Sequence, residues 1–393
     1  MAKHRTDRDH DIVLFGATGF AGGLTAEYLA RHAPDSCRWA LAGRNLDKLE
    51  AVRAGLTDID PRLGALALVK ADITDEKSVR DVAESTRTLI TTVGPYVLYG
   101  DPAVAACASA GTDYLDLTGE PEFVDRTYVK HHATAERTGA RLISAAGFDS
   151  IPHDLGAYFT VLHLPEDEPL TVDAYVRASA MFSGGTFHSA VTAMSRPRAN
   201  IQARRERRAH EPRSGDRAAH IVTRAPHRDS IDGRWAVPMP TLDPQIVTRS
   251  ARAIARYGPD FSYSHNMSVG RLTTAASLIG GIGVLAGVAQ IPPARRALLN
   301  IRKPGEGPSP ERRNRSWFTV TFIGKGGGER VVTRVSGGDP GYDETAKMLA
   351  ESALCLVLDD LPDTAGQVTT AEAMGDALLD RLQKASIAFD VIG

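Results

Sequence analysis

The segment that decides the fold is Asp11-Ile-Val-Leu-Phe15, followed directly by Gly16-Ala-Thr-Gly19-Phe-Ala-Gly22. A short apolar run of this kind is typical of a buried strand, and the residues from Gly22 to His32 show helical spacing. Small residues between a strand and a helix let the backbone approach a pyrophosphate at the positive end of the helix. The segment therefore predicts a dinucleotide-binding turn, and a purely structural turn is the alternative. The predicted contact residues are Gly16, Thr18, Gly19, Phe20, Ala21 and Gly22.

Short apolar runs alternate with helical patterns through the first 150 residues. The other predicted strands are Trp39–Ala42, Ala65–Val69, Thr88–Val93, Asp113–Leu117 and Arg141–Ser144. The predicted helices between them are Leu46–Ala54, Glu76–Glu84, Pro102–Ala110 and Glu122–Thr138. Strands that alternate with helices form parallel sheets covered on both faces. The expected fold class is α/β, with a Rossmann-type doubly wound parallel sheet.

The end of the second strand indicates which dinucleotide binds. NAD enzymes place an acidic residue there for the ribose 2′-hydroxyl. This chain has Gly43-Arg44-Asn45 instead, with Lys48 one helical turn later. A guanidinium suits a phosphate dianion, so Arg44, Asn45 and Lys48 predict NADP. The alternative is that Arg44 is only a surface cation.

Later strand ends supply the other candidates, because strand ends line the crevice of a doubly wound sheet. Asp72 is expected near the adenine, and Val93, Gly94 and Pro95 near the nicotinamide ribose. Tyr96, Tyr99, Asp149, His153 and Asp154 follow the fourth and sixth strands. A histidine side chain ordinarily has a pKa near neutrality, so His153 is a candidate for proton transfer. The alternatives are a structural role for His153 and a loop or cap role for Asp149.

After Gly147 the pattern changes to alternating strands such as Leu170–Val176, Ser316–Phe322 and Arg330–Val335. Alternation is typical of half-buried antiparallel strands. We predict a Rossmann domain over residues 1–150 and an inserted α+β substrate domain over 151–342. Helices over 343–393 are expected to return to the first domain.

An uncharged stretch from Leu272 to Ala294 precedes Arg295 and Arg296. We expect an apolar helix over 272–294. Three roles remain open for it: a buried or substrate-lining helix, a peripheral contact with a membrane, or a membrane span.

Composition excludes several classes of protein. With 46 Lys and Arg against 48 Asp and Glu, the chain has a net charge of −2, which gives no electrostatic footprint for nucleic acid. Three scattered cysteines form no CxxC pair, so neither a disulfide scaffold nor a metal site is predicted. No secretory signal is visible, and a cytoplasmic location is expected, with membrane association as the alternative. An arginine-rich stretch over 196–217 predicts a solvated helix or loop, or a docking patch for an acidic carrier.

Gly147-Phe-Asp-Ser-Ile-Pro-His-Asp-Leu-Gly156 resembles the GFDSxPxDLG motif of saccharopine dehydrogenase-like oxidoreductases, and most closely that of the trans-acting enoyl reductases. The resemblance extends over essentially the whole chain. Its other motifs are Gly16–Gly22, Ser183–Thr186, Lys303–Ser309, Gly338–Tyr342 and Thr345–Leu349.

The resemblance implies an NADPH-dependent oxidoreductase that reduces the C=C bond of an enoyl group, on a lipid or on a polyketide held by a carrier protein. The alternatives are a saccharopine-like dehydrogenase acting on an imine and a non-catalytic NADP-binding module. The sequence has no Tyr-x-x-x-Lys pair, so Tyr96 and His153 are the predicted proton donors or oxygen stabilisers. A homo-oligomer remains open.

Overall fold

A computed structural model of the chain describes residues 7–179, 184–212, 217–301 and 307–393. The strands are β1 (His10–Phe15), β2 (Trp39–Gly43), β3 (Ala67–Lys70), β4 (Thr86–Thr91), β5 (Asp113–Asp116), β6 (Arg141–Ile143), β7 (Leu170–Ser179), β8 (Ala218–Ile221), β9 (His227–Arg228), β10 (Trp235–Pro238), β11 (Asp260–Val269), β12 (Trp317–Gly326), β13 (Glu329–Gly337), β14 (Gly366–Val368) and β15 (Ala388–Val391).

Helices surround both sheets. They are α1 (Phe20–His32), α2 (Leu46–Leu56), α3 (Glu76–Ser85), α4 (Tyr96–Tyr99), α5 (Asp101–Ala110), α6 (Pro121–Thr138), α7 (Ile151–Val161), α8 (Gly184–Met194), α9 (Pro197–His210), α10 (Asp243–Ala253), α11 (Leu272–Ala289), α12 (Pro292–Leu299), α13 (Pro310–Arg313), α14 (Asp343–Leu358) and α15 (Thr370–Lys384).

The first sheet is parallel and has the order β14-β6-β5-β4-β1-β2-β3. Strands after β1 run outward on one side, and β4 returns to the other side of β1. The order therefore reverses between β1 and β4, where doubly wound sheets bind their ligands. Phe15 pairs with both Ala42 and Thr91, so the glycine turn leaves the sheet between two strand ends. The predicted α/β Rossmann class is confirmed.

The second sheet is mixed. Its order is β15-β13-β12-β7-β11-β10-β9, and β8 pairs with β11. The central strands β7 and β11 are parallel, whereas β12 is antiparallel to β7. A second, mixed sheet agrees with the predicted change of pattern.

Helix α7 joins the two sheets, because it follows β6 and packs on β12 and β13. Ile151 and Leu155 are fully buried there. A Cβ at Gly156 would lie 2.4 Å from the ring of Phe322, so the helix approaches the second sheet as closely as its backbone allows. Fully burying one such aliphatic side chain is worth roughly 1.5–3 kcal/mol. This packing fixes the first turn of α7 at the boundary between the sheets.

The C-terminal segment serves both sheets. Helix α14 is buried against α1, β4 and β5, as expected for helices that return to the first sheet. The structure adds β14 to the first sheet and β15 to the second, and neither strand was predicted. The domain boundaries at residues 150 and 342 stay a prediction.

The apolar stretch differs from the expected helix over 272–294. Helix α11 ends at Ala289, and α12 begins at Pro292 after a bend of 115°. In the described part of the chain, no single helix has the length and apolar character to cross a membrane, although this bent pair passes that test jointly. Most described side chains of α11 are exposed rather than buried, and Val284 is 68% exposed. The prediction of a buried helix is therefore wrong.

Candidate active site

The glycine turn has the geometry of a phosphate cradle. Gly16 has φ of +96°, and its carbonyl accepts the amide of Gly19 at 2.9 Å. A Cβ at Gly22 would lie 2.2 Å from that carbonyl oxygen, so only glycine fits there. Helix α1 begins with no side-chain cap and no acidic residue in its first turn. Its positive end is therefore left to an anion.

The remaining residues of the turn lie around this cradle. Thr18 is exposed beside Gly19. Phe20 packs edge-on against Tyr342 at 4.8 Å, with the guanidinium of Arg313 at 5.5 Å from its ring. Ala21 lies in the first turn of α1. Phe20, at the start of α1, is thus in contact with Tyr342, which precedes α14, and with Arg313 of α13.

Arg44 and Lys48 are exposed at the end of β2. The side chain of Asn45 accepts the amide of Lys48 at 2.9 Å and caps α2. Asp72 accepts two hydrogen bonds from Thr74, which lower the pKa of its carboxyl, with a smaller contribution from nearby Arg44. Arg44 is therefore free to bind a phosphate, whereas Asn45 and Asp72 also build local turns.

The loop after β4 closes over the cradle. A Cβ at Gly16 would lie 2.9 Å from Val93. A Cβ at Gly94, which precedes Pro95, would lie 3.6 Å from Oγ of Ser189 on α8. Helix α8 therefore passes directly over this loop. We call the space at the carboxyl ends of β1, β4, β5 and β6 the crevice.

Tyr96 is placed differently from its predicted role. Its hydroxyl donates to the carbonyl of Thr91 at 3.1 Å and accepts the amide of Leu117 at 3.2 Å. It is buried, and burial raises its pKa well above the ordinary value. Because both hydrogen-bonding functions are used by the backbone, Tyr96 ties β4 to β5 and we do not retain it as a proton donor.

Asp149 lies at the opposite side of the crevice, in the loop after β6. A Cβ at Gly119, in the loop after β5, would lie 3.4 Å from its Oδ2. The side chain is half-buried. Burial, followed by the charge of Asp243, raises the pKa of Asp149 to about 7. A carboxyl group with this pKa can hold a proton at neutral pH and release it.

His153 lies one layer deeper, in the first turn of α7. Its Nε2 is 3.8 Å from Oδ1 of Asp243, and Oδ2 of the same carboxylate is 3.5 Å from Nε2 of His265. We call these three residues the His–Asp–His cluster. They are 2–4% exposed. Burial lowers the pKa of both imidazoles, that of His265 to about 3, so both rings are neutral near pH 7.

Two further candidates, Asp154 and Tyr99, lie in different surroundings. Asp154 is fully buried and accepts hydrogen bonds from Ser250, Thr370 and the amide of Ala371. It therefore joins α7, α10 and α15. Tyr99 is 41% exposed at the end of α4.

Sequence reasoning missed Asp243 and His265. The two residues lie 90 and 112 positions after His153, on α10 and β11, with no shared motif. Only the fold brings them to the first turn of α7. Ser183 and the residues from Lys303 to Glu306, which carry part of the family resemblance, lie outside the described residues.

Comparisons with known proteins agree with this geometry. Residues 12–143 match the saccharopine dehydrogenase NADP-binding domain. A trans-acting enoyl reductase of Mycobacterium tuberculosis is 38% identical, with 97% of each chain covered. The chain belongs to the saccharopine dehydrogenase-like oxidoreductases, in the trans-acting enoyl reductase branch. The corresponding protein of Mycobacterium ulcerans is 36% identical over the same shares.

A solved structure supports the fold over the whole chain. Apo saccharopine dehydrogenase (L-Glu forming) of Saccharomyces cerevisiae aligns with a TM-score of 0.56 at 11% identity, covering 98% of this chain and all of that one. The family and the NADP-binding domain make this protein an NADP-dependent oxidoreductase, as predicted. The open end of α1 and the exposed Arg44 fit that cofactor.

Proposed function

We propose that this protein reduces the C=C bond of an α,β-unsaturated acyl thioester of a lipid or polyketide. The supporting observation is the partly exposed Asp149 at the same sheet edge as the phosphate cradle. A reductase of this kind needs a hydride source and a proton donor that both reach one substrate. The similarity to trans-acting enoyl reductases over 97% of the chain favours the enoyl thioester over an imine.

NADPH, when bound, supplies the hydride that adds to Cβ of the substrate. Asp149 then donates its proton to Cα, and solvent reprotonates the carboxylate. The thioester oxygen carries the negative charge between these events. The raised pKa of Asp149 keeps its carboxyl protonated for this step.

His153 is a positioning residue in this scheme rather than the predicted proton donor. Its ring packs edge-on against Phe148 at 5.3 Å and against His265 at 4.8 Å. The pKa of its imidazole is lowered by burial, so it carries little charge at neutral pH. Its Nε2 lies 3.8 Å from the Asp243 carboxylate, and the negative charge of that carboxylate helps to keep Asp149 protonated.

The exposed helices α11 and α12 suit the delivery of an apolar chain. They pack on α8, where Nε2 of His188 contacts the carbonyl of Leu299 at 2.8 Å and Gln290 donates to the carbonyl of Met194. Because α8 lies against the crevice loop at Gly94, α11 and α12 pack on the helix that borders the crevice.

A peripheral membrane contact through these helices is part of the proposal. Residues 271–301 contain three arginines and no acidic residue. Ile282, Val284 and Ile291 are 40%, 68% and 53% exposed. Apolar side chains flanked by cations are typical of surfaces that bind anionic lipid interfaces. A thioester on a carrier protein is the other route for the substrate.

The test compares substrates. Purified protein is mixed with NADPH and a trans-2-enoyl thioester, presented on coenzyme A and on an acyl carrier protein. We expect steady NADPH oxidation and a saturated acyl product. Oxidation only with an amino acid and a keto acid would favour a saccharopine-like dehydrogenase. Cofactor binding without turnover of any of these substrates would favour a non-catalytic module.

A further inference from the structure

The His–Asp–His cluster is assembled from three separate elements. His153 is in the first turn of α7, Asp243 is the first residue of α10, and His265 is in the middle of β11. Each residue offers one ligand atom, and these atoms lie within 4.8 Å of one another. Among the residues that the structure describes, this is the group with the geometry of a metal site.

The distances between the imidazole nitrogens and the Asp243 carboxylate bear on whether an ion binds in the cluster. The two Nε2–carboxylate distances of 3.8 and 3.5 Å exceed the range of an ordinary hydrogen bond, which is about 2.7–3.2 Å. Ligand atoms around a tetrahedral ion with bonds of about 2.0–2.1 Å are roughly 3.3 Å apart. The two Nε2–carboxylate distances are close to that value, although they involve different oxygens of Asp243, and the three ligand atoms lie within 4.8 Å of one another. Binding of an ion would draw the three side chains together.

The cluster also holds polar atoms that lack partners. Nε2 of His265, Oδ1 of Asp243 and Nδ1 of His153 are buried and make no hydrogen bond within the described residues. Buried polar atoms are nearly always satisfied, and an unpartnered set calls for a water or an ion. Within the cluster, Nε2 of His265 faces Oδ2 of Asp243, whereas Oδ1 of Asp243 faces Nε2 of His153.

The surroundings hold the ligands in place. The hydroxyl of Tyr263 contacts Nδ1 of His265 at 3.1 Å, which leaves Nε2 of that ring directed at Asp243. Phe148 packs on His153. Metal-binding imidazoles and carboxylates are usually held by second partners of this kind.

We propose that His153, Asp243 and His265 bind one divalent transition-metal ion of the zinc type. Two imidazole nitrogens and one carboxylate suit zinc and its neighbours, whereas calcium and magnesium prefer all-oxygen ligands. The ion ties α7 to α10 and β11 and so fixes the boundary between the two sheets. Zinc binding can be measured without a substrate, so its failure is distinguishable from a failure of the proposed reduction.

The test is a calorimetric titration of the chelator-treated full chain with zinc chloride. We expect one equivalent to bind, and zinc to raise the melting temperature. His265→Gln and Asp243→Asn should each weaken binding at least about tenfold. His220→Gln is the matched control, because His220 and Asp260 form an exposed pair at 3.3 Å with comparable ligand types. That variant should bind zinc like the parent chain.

Absence of zinc binding, or equal binding by His265→Gln, would overturn the proposal. If circular dichroism shows that the variants do not fold, the parent chain alone tests whether zinc binds at this site. Crystals grown with zinc should then show an anomalous scattering peak among the three side chains. A peak only elsewhere would overturn the site.

Discussion

The two sides of the crevice are built in different ways. The cofactor side consists of seven consecutive residues, Gly16–Gly22, whose backbone geometry is set by glycines between a strand and a helix. The opposite side consists of Asp149 and the His–Asp–His cluster, drawn from residues more than 100 positions apart. One side is therefore encoded locally, and the other exists only after both sheets have formed.

This difference predicts how each side responds to substitution. A site formed by backbone groups loses its ligand affinity when a single methyl group is added at a closely packed glycine. A side-chain site assembled from distant elements changes chemistry when one functional group changes, while the fold remains. The following predictions test that contrast, beginning with the largest effect.

Gly22→Ala should abolish NADPH binding, with a loss of affinity of at least about a thousandfold, because the new Cβ would lie 2.2 Å from a backbone oxygen that cannot move cheaply. Gly23→Ala, one residue later, places its Cβ 3.8 Å from the carbonyl oxygen of Ala17, an ordinary contact distance, and should bind normally. Fluorescence titration with NADPH measures both. Equal affinities would mean that the turn does not hold the cofactor.

Asp149→Asn should lower kcat roughly 100-fold or more, because an amide cannot deliver the proton. In the parent protein, kcat should fall as the pH rises through about 7, where Asp149 loses its proton. Asp58→Asn, at an exposed acid, is the control. Rates of enoyl thioester reduction across pH test this, and an unchanged rate in Asp149→Asn would remove the residue from the mechanism.

The same carboxyl should affect stability. Its pKa is raised in the folded chain, so the folded state holds a proton that the unfolded state releases near the ordinary carboxyl pKa of 3.8. Asp149 therefore lowers the free energy of unfolding progressively as the pH rises from about 4 to 7. Denaturant titrations of Asp149→Asn should show a smaller decline in the free energy of unfolding over this pH range. If the free energies of unfolding of the parent and the variant declined equally, Asp149 would have an ordinary pKa.

Arg44→Asp should weaken NADPH binding about 10- to 100-fold and leave NADH binding nearly unchanged or improved, since charge-assisted bonds to one phosphate contribute on this scale. Arg31→Asp, at an exposed arginine at the far end of α1, should leave both affinities near the parent values. An equal loss of both cofactors in Arg44→Asp would contradict the NADP assignment of this position.

Val284→Glu should reduce binding to anionic lipid vesicles a few-fold, because the side chain is 68% exposed on the apolar surface of α11. Ile201→Glu changes a 54% exposed residue on α9 and should not alter binding. Vesicle co-sedimentation measures both. Absence of parent binding, or self-association that Val284→Glu abolishes, would assign this surface to something other than lipid.

The locally encoded features were predictable. The β1 strand, the turn and α1 follow from adjacent residues, although α1 begins at Phe20, two residues before the predicted start. The NADP preference followed from Arg44 in place of an acid. Short edge strands such as β14, with three residues, carry too little periodicity to be recognised.

Features that depend on tertiary contacts were not predictable. His153 was recognised as a candidate, but nothing near it in the sequence indicates Asp243 or His265. The sequence around Tyr96 does not indicate that its hydroxyl is occupied. Only the packing of β4 and β5 gives that hydroxyl its two hydrogen bonds to the backbone. Likewise, the sequence of an uncharged helix such as α11 does not indicate whether the helix is buried or exposed, because its glycines remove any clear apolar face.

The central claim is that both sides of the crevice act on one enoyl thioester, and hydride tracing tests it most directly. The protein is incubated with an enoyl thioester and NADPH deuterated at C4 of the nicotinamide on the transferable face. The account predicts one NADPH oxidised for each saturated acyl product, with the deuterium at Cβ. No product, or a label anywhere other than Cβ, would contradict it.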